Sequence, residues 1–188
     1  MQVQFINSEN TQIQKCIEGC RKSQEELYDF YAAKMFAVCL RYAKNDMDAE
    51  DILQDGFVKI FTNLDKYRAD GSFEGWLRRI MVNTAIEHIR KNKINNQDIS
   101  ENIENTVKDK YANALDKLFE KELVNIASTL SDGYKAVFNM YAIEGYSHKE
   151  IAKQLGITES TSKSQFSRAK SILRNLLQVN NNQNVIAC

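Results

Sequence analysis

The lack of proline is the feature that most constrains the fold of this chain. The 188-residue sequence has no proline and only seven glycines, so few positions interrupt a helix. Apolar residues recur at intervals of three and four, which is the spacing of one helical face, while the alternation typical of β-strands is scarce. The pattern therefore predicts an all-α fold.

The apolar residues also bound the class of protein. They make up 43% of the chain, which is enough for packed cores, but no run approaches the roughly 18 residues of a membrane span. The first residues lack the basic and apolar regions of a signal peptide. We therefore expect a cytoplasmic protein with no direct membrane insertion.

The helical periodicity falls into two stretches, 20–92 and 118–178. Between them, residues 93–117 are rich in asparagine and charge and show no sustained apolar face, which is typical of a linker. The sequence thus predicts two small helical domains joined by a polar linker. Helices predicted in the first domain cover 21–44, 47–64 and 72–91.

Charge is distributed unevenly although the formal net charge is zero. Residues 76–93 hold five basic and one acidic side chain, and residues 147–177 hold six basic and two acidic ones. Residues 46–74 hold eight acidic and three basic side chains. Since local sign decides what a surface attracts, the two basic stretches indicate two contacts with DNA and the acidic stretch a different partner.

Signals of a helix–turn–helix unit are concentrated in the second domain. Ser147 and Glu150 form a capping box, Gly156 can end that helix in the left-handed conformation, and Ile157 fills the turn. Thr158 can cap the next helix, whose outer face suits the major groove of DNA. The alternative is an αα-hairpin with a solvated basic face. The outer face predicted to bind DNA comprises Thr161, Lys163, Ser164, Ser167 and Arg168.

Two helices of the first domain carry polar faces of opposite charge. Helix 47–64 presents Asp48, Asp51, Gln54 and Asp55 opposite its apolar stripe. Helix 72–91, which Ser72 can cap, exposes basic side chains that are either a solvated face or a DNA contact. The charged and polar residues opposite its apolar side are Arg78, Arg79, Asn83, Glu87, Arg90 and Lys91, of which Arg78, Arg79, Asn83 and Arg90 are the candidates for a DNA contact.

A loop rich in polar residues, Lys66–Gly71, precedes the basic helix and contains Tyr67 and Arg68. Such a loop beside a basic helix can receive an unstacked base of single-stranded DNA. Composition alone does not distinguish this role from that of an ordinary connection.

The cysteines predict neither a metal nor a cofactor site. Cys16 and Cys20 are four residues apart, which predicts one face of a helix. A zinc site needs two more ligands at suitable spacing, and His88 and His148 are distant in sequence. We interpret the cysteines as reduced thiols, and no constellation of residues indicates an enzyme.

Two segments together resemble a known family. DAEDILQDGFVKIF, at Asp48–Phe61, followed by SFEGWLRRIMVNTAIEHIRK, at Ser72–Lys91, resembles region 2 of sigma-70-type factors. The segment Tyr134–Leu173 resembles region 4. The order and separation of the two regions, over about residues 20–178, are similar to those of the extracytoplasmic-function (ECF) group.

The resemblance implies a partner for each charged surface. Asp48, Asp51, Gln54 and Asp55 would bind the clamp helices of the β′ subunit of RNA polymerase core. Region 4 would read the −35 element of promoter DNA through the outer face of its second helix and would contact the β flap. The residues implied to contact −10 DNA, opened by the region 2 helix and loop, are Tyr67, Arg68, Arg78, Arg79, Asn83 and Arg90.

The resemblance also implies an anti-sigma factor as a further partner, because factors of this group are usually held by one. The sequence departs from the family pattern at three places. Leu130-Ser131 stands where Leu-Pro is usual, Gln165 where arginine is common, and Ser162 where valine is common. The last two lie in the helix that would read the −35 element.

Two other functions compete with promoter recognition. A helix–turn–helix regulator that binds an operator shares the second domain but gives no reason for an exposed acidic face on helix 47–64. A helical adaptor that binds only protein leaves both basic stretches unexplained. Tight binding of duplex DNA by the isolated protein would favour the operator-binding regulator, since a sigma factor binds promoters poorly without core.

Overall fold

The computed structural model describes the backbone of residues 2–95 and 130–186, and the side chains of 10–91 and 130–176. The described residues form helices and no strand, which confirms the all-α prediction. They belong to two compact units, which are treated separately below. Most of the predicted linker, and the apolar residues Leu118, Leu123, Ile126 and Ala127 expected at the start of the second domain, lie outside the described residues.

The first unit contains four α-helices within its described part. Helices α2 to α4 occupy the places that the sequence predicts, whereas the sequence patterns did not predict α1. Helix α4 also runs past residue 93, where the linker was expected to begin, because residues 76–95 contain no glycine or proline to stop it. Their bounds are Gln2–Ile17 (α1), Arg21–Leu40 (α2), Asp46–Thr62 (α3) and Phe73–Asn95 (α4), with a 3-10 turn at Leu64–Lys66.

Helix α1 packs against α2 and extends the first unit beyond the predicted start at residue 20. Ile13 and Cys16 are buried there. Gln12 Nε2 donates to a carboxylate oxygen of Glu26 over 2.7 Å. Gly19, at φ 83°, ends α1 and reverses the chain into α2. Cys16 lies in α1, whereas Cys20 is the extended N-cap residue that precedes α2, so the prediction that they share one helical face was wrong.

The core of the first unit lies between α2, α3 and α4. Aromatic pairs join these helices: Tyr28 contacts Phe57 of α3 at a centroid distance of 4.5 Å, and Tyr31 contacts Phe73 of α4 at 5.6 Å. Apolar side chains fill the remaining space without access to solvent. The aliphatic and methionine side chains that are fully buried include Met35, Ile52, Ile60, Leu77, Met81 and Val82.

Helices α3 and α4 approach closely at Gly56. A Cβ atom at this position would overlap Sδ of Met81, and Met81 is itself fully buried. A side chain at position 56 would therefore force the buried Met81 side chain to move. This contact fixes the spacing between the acidic helix and the basic helix of the first unit.

The second unit contains three α-helices in its described part, α5 (Asp132–Phe138), α6 (His148–Leu155) and α7 (Glu159–Ile186), with a π-helical turn at Asn139–Ile143. Helix α7 continues past residue 178, the predicted end of the domain. Helices α5 and α6 both pack against α7. The side chains fully buried in this unit include Val137, Met140, Ile151, Ser162 and Ala169.

The start of α6 and the turn that joins α6 to α7 have the capping geometry that the sequence predicts. Ser147 and Glu150 bond reciprocally, with the backbone N–H of Ser147 donating to the Glu150 carboxylate over 2.9 Å. Gly156 adopts the left-handed conformation at φ 65° and ends α6. The hydroxyl of Thr158 accepts from the backbone N–H of Thr161 over 3.1 Å and caps α7. These contacts are local, which is why the sequence alone was sufficient to predict them.

Replacing Gly56 with valine tests the close approach of α3 and α4. We expect Gly56→Val to lower the free energy of unfolding by about 2 kcal/mol, because the new side chain overpacks a core without free volume. Urea denaturation of the full chain measures this loss. Gly71→Ala is the matched control, because a Cβ there meets nothing within 4 Å. The loss should be less than additive with that of Met81→Ala, and additive losses would show that the two residues do not touch.

Candidate nucleic-acid and protein interfaces

The outer face of α3 combines acidic and apolar side chains. Asp51, Gln54 and Asp55 are all exposed, as the sequence predicts for an outward stripe. Met47 and Val58, at 77% and 64% exposure, continue the same stripe at its two ends, since they lie four residues before Asp51 and three after Asp55. Exposed apolar residues that flank charges are typical of a surface that binds another protein.

Asp48 differs from the other acidic residues of α3. It lies in the first turn and is only half exposed, and its backbone N–H donates to Oδ1 of the capping residue Asn45 over 2.8 Å. A carboxylate in this place stabilises the positive end of the helix dipole. Gln54 is also engaged, because its Nε2 donates to the Tyr28 hydroxyl over 3.2 Å. Asp51 and Asp55 are thus the acidic residues displayed most fully.

The loop before α4 is closed by its own tyrosine. The Tyr67 hydroxyl donates to the carbonyl oxygen of Gly71 over 2.7 Å, and the Tyr67 ring packs on Phe73 and Trp76 at 5.1 and 5.6 Å. Ala69, at the loop tip, has φ 57°, a conformation unfavourable for a residue with a Cβ. Arg68 and its neighbours to Gly71 are exposed. The closed loop therefore displays its tip while tyrosine anchors its base.

Helix α4 separates the basic residues that the sequence grouped together. Arg79, Asn83 and Arg90 follow one another at helical spacings of four and seven, so they share one face. Arg78 instead bonds to Glu74, with Nη2 and Oε1 3.4 Å apart, and Glu74 also bonds to Lys34 of α2 over 2.7 Å. Arg78 therefore belongs to an ion-pair cluster between α2 and α4, apart from the shared face.

The outer face of α7 brings together the five residues predicted to bind DNA. Lys163, Ser164, Ser167 and Arg168 are exposed, and Thr161 is half buried beside the helix cap. Ser160 lies on the same face, and the sequence analysis did not include it. Its position one helical turn before Ser164 was the signal that would have identified it.

Two of the cations on α7 have partners within the protein. Lys163 Nζ lies 2.7 Å from a Glu159 carboxylate oxygen, and this hydrogen bond lowers the pKa of Glu159. Arg168 donates to the Tyr134 hydroxyl of α5 over 3.3 Å. Both arrangements hold long side chains in place, but Glu159 also puts a negative charge next to the proposed DNA surface.

No group of three or more His, Cys, Asp or Glu side chains in the described part of the chain is placed to hold a metal ion. Cys16, Cys20 and Cys39 are free thiols. Burial raises the pKa of the Cys39 thiol to about 12, whereas hydrogen bonds with Ser23 lower the pKa of the exposed Cys20 thiol. Within the described residues, no helix has the length and apolar character needed to cross a membrane.

Both units match models of a known family. The model for sigma-70 region 2 matches residues 27–94, and the model for sigma-70 region 4 matches residues 120–173. The first match contains α3 and the described loop and nearly all of α4, and the second contains α5, α6 and the first turns of α7. Together they include every candidate interface residue described above.

The chain is similar to curated members of one group of that family. It is 27% identical over 164 residues to the ECF RNA polymerase sigma factor SigE of Mycolicibacterium smegmatis, covering 85% of this chain and 63% of that protein. It is 28% identical over 181 residues to the ECF RNA polymerase sigma factor SigW of Bacillus subtilis, covering 88% of this chain and 97% of that protein. The sigma factor RpoE of Bartonella quintana, solved in complex with the anti-sigma factor NepR, has a similar fold, with a TM-score of 0.55 and 21% identity over 82% of this chain and 96% of that one.

The chain belongs to the sigma-70 family and is an ECF RNA polymerase sigma factor, a non-catalytic subunit for promoter-specific initiation of transcription. This finding confirms the family and the function that the sequence predicted.

Removing the charge of Glu159 should strengthen DNA binding by the second unit. We expect Glu159→Gln to tighten binding of duplex DNA by about threefold, because it frees Lys163 and removes a charge that repels phosphate. Fluorescence anisotropy of a labelled duplex at several salt concentrations measures the affinity and its salt dependence. Glu25→Gln, at an exposed position of α2, is the matched control for net charge. Equal affinities for both variants would contradict a local role of Glu159.

The ion-pair cluster of α2 and α4 should affect stability only above acidic pH. The hydrogen bond from Lys34 lowers the pKa of Glu74 from its ordinary value of 4.5. Because the folded-state pKa is lowered, the pair contributes fully above pH 4.5 and its contribution disappears as the pH falls through the lowered value.

The corresponding variant is Glu74→Gln. We expect it to lose less than about 1 kcal/mol of stability at pH 7, since the side chains are partly exposed. At low pH, where the Glu74 carboxylate of the wild type is protonated, the two proteins should be equally stable. Thermal unfolding as a function of pH measures the difference. Glu87→Gln, which removes the more exposed pair with Lys59, is the control. A difference that persists undiminished at pH 2 would contradict the assignment to the Glu74 carboxylate.

Proposed function

We propose that the first unit docks on the clamp helices of the polymerase β′ subunit through the outer face of α3. The contact residues are Asp51, Gln54 and Asp55, with Met47 and Val58 adding apolar area at both ends of the stripe. Asp48 contributes by charge and by capping α3. The observation that carries the proposal is this exposed acidic and apolar stripe, which DNA binding alone leaves without a purpose.

The basic face of α4 and the loop beside it receive the −10 element. Arg79, Asn83 and Arg90 contact the backbone of the non-template strand. The tip of the loop, at Arg68, accepts an unstacked base, and Tyr67 holds the loop closed around it. Arg78 supports this surface from its ion pair with Glu74. The energy of these contacts offsets the cost of opening the duplex.

The outer face of α7 reads the −35 element in the major groove. Lys163 and Arg168 contact phosphates or guanine edges, while the hydroxyls on the same face complete the polar contacts. Support comes from the exposure of these side chains on one face and from the positive charge of the segment. The polar residues between the two units would follow the path of the nascent RNA, and the second unit would also bind the β flap.

An anti-sigma factor is the further partner that this function requires for control. The exposed apolar residues of α3 suit a protein inhibitor that competes with polymerase for the same stripe. Such a protein works in the cytoplasm of a bacterium, where polymerase and promoter DNA are found. The rival function, an operator-binding regulator, leaves the stripe on α3 without a partner.

Reconstituted transcription tests the function. The purified protein is added to bacterial core polymerase free of other sigma factors, with genomic DNA as template, and the 5′ ends of transcripts are mapped. Discrete starts that share a −35 and −10 pair are expected. If no discrete starts appear while the protein alone binds a duplex tightly, the operator-binding regulator is the better account.

A charge reversal on α3 separates polymerase binding from DNA binding. We expect Asp51→Arg to reduce initiation at the mapped promoters at least tenfold, because an interfacial charge pair is replaced by repulsion. Its affinity for core, measured by titration with fluorescently labelled protein, should fall in parallel. Glu25→Arg, at an exposed position of α2, is the matched control. Similar losses from both variants would contradict a specific contact at Asp51.

Removing the Lys163 side chain should weaken recognition of the −35 element and leave polymerase binding unchanged. Lys163→Ala is expected to lower initiation about tenfold at promoters that depend on the −35 element, through loss of a phosphate contact, with core binding unchanged. Lys153→Ala, an exposed lysine of α6, is the control. A loss of core affinity in Lys163→Ala would show that α7 has another role.

A further inference from the structure

Ser162 is a polar residue in the core of the second unit. It is fully buried in α7, at the position where an apolar residue was expected from the sequence. A buried hydroxyl without a partner destabilises the fold, so its environment has to supply a hydrogen bond. Ser162 Oγ lies 2.9 Å from Nδ1 of His148, the first residue of α6. The hydrogen bond thus crosses from one helix of the helix–turn–helix unit to the other.

The ring of His148 is held in one orientation by two aromatic neighbours. It stacks on Tyr141, with centroids 4.3 Å apart and planes 16° apart. It also meets Phe166 edge to face at 5.8 Å and 62°. Tyr141 comes from the π-helical turn and Phe166 from α7. The ring, which belongs to α6, is therefore fixed between the π-helical turn and α7. Its Nδ1 points at Ser162.

The hydrogen bond of Ser162 holds the part of α7 where the side chains predicted to bind DNA begin. Ser162 lies between Thr161 and Lys163, in the first turns of α7, where the side chains predicted to meet DNA begin. The apolar contacts of Ala169 and Phe166 hold α7 further along its length and restrict its first turns less directly. A hydrogen bond is directional, so it restricts the rotation and shift of the first turns relative to α6.

We propose that His148 and Ser162 are positioning residues that set the orientation of the first turns of α7 for recognition of the −35 element. The inference rests on the proposed reading of that element by α7. Neither side chain contacts DNA in this account. Both act through Thr161, Lys163 and Ser164, which are displaced when the hydrogen bond is lost.

A double-mutant cycle with promoter readout tests the proposal. The variants are Ser162→Ala, which removes the hydroxyl, His148→Phe, which keeps an aromatic ring but removes Nδ1, and the double variant. Initiation is measured with the full chain and core polymerase on two templates. One is a mapped promoter that depends on its −35 element, and the other is single-stranded across the −10 element and lacks the −35 element.

Each single variant should lower the ratio of initiation on the first template to that on the second by about tenfold. The double variant should be no worse than either single variant, because the same hydrogen bond is lost in all three. His148→Asn, which retains a polar atom near the position of Nδ1, should keep most of the ratio. Ser171→Ala, an exposed serine of the same helix, is the control and should leave the ratio unchanged.

The outcomes distinguish this inference from the function on which it rests. The positioning role would be overturned by any of three results. These are losses that add in the double variant, a ratio that does not change, and equal losses of initiation on both templates. If the wild-type protein yields no discrete starts, the proposed function fails and the inference fails with it. Thermal unfolding identifies any variant that does not fold. If His148→Phe or the double variant does not fold, Ser162→Ala is compared with His148→Asn: the first should lower the ratio, and the second should keep most of it.

Discussion

The close contact of Gly56 with the buried Met81 side chain is part of the core packing of α3 against α4, on which the first unit depends. Helix α3 carries the acidic stripe and α4 carries the basic face, so the packing of these helices sets the distance between two oppositely charged surfaces. Both helices bury most of their apolar residues against each other and against α2, which leaves little freedom to slide. A small unit thereby holds two oppositely charged surfaces in one rigid arrangement.

The chain has no net charge, but its positive and negative charges are separated onto different surfaces. Some charges are used inside the units, as in the pair of Lys59 with Glu87 and the cluster around Glu74. Others remain displayed, such as Asp51 and Asp55 on α3 and the exposed cations of α4 and α7. Because a polyanion responds to the local field, a chain without net charge can still bind DNA at two places. Glu159 places a negative charge beside Lys163 and so weakens the positive field at the outer face of α7.

Local chemistry was predictable from the sequence, and contacts between distant residues were not. The capping box at Ser147, the left-handed Gly156 and the polar face of α7 follow from residues within a few positions of one another. The cluster that holds Arg78 depends on Lys34, which lies 40 residues before Glu74, and no spacing rule connects them. The helix break at Gly19 was missed because a spacing of four was taken as a helical face.

Ser162 shows why a departure from a family pattern can be informative. An aliphatic residue in its place would fill the core but would make no directional bond to α6. The serine gives up that apolar contact and gains a hydrogen bond whose geometry depends on how α6 and α7 are placed. The second unit is small and its described core is thin, so one directional contact restricts its structure more than it would in a large domain. The hydrogen bond joins the first turns of α7 to His148, and the stacking of that ring on Tyr141 connects both helices to the π-helical turn.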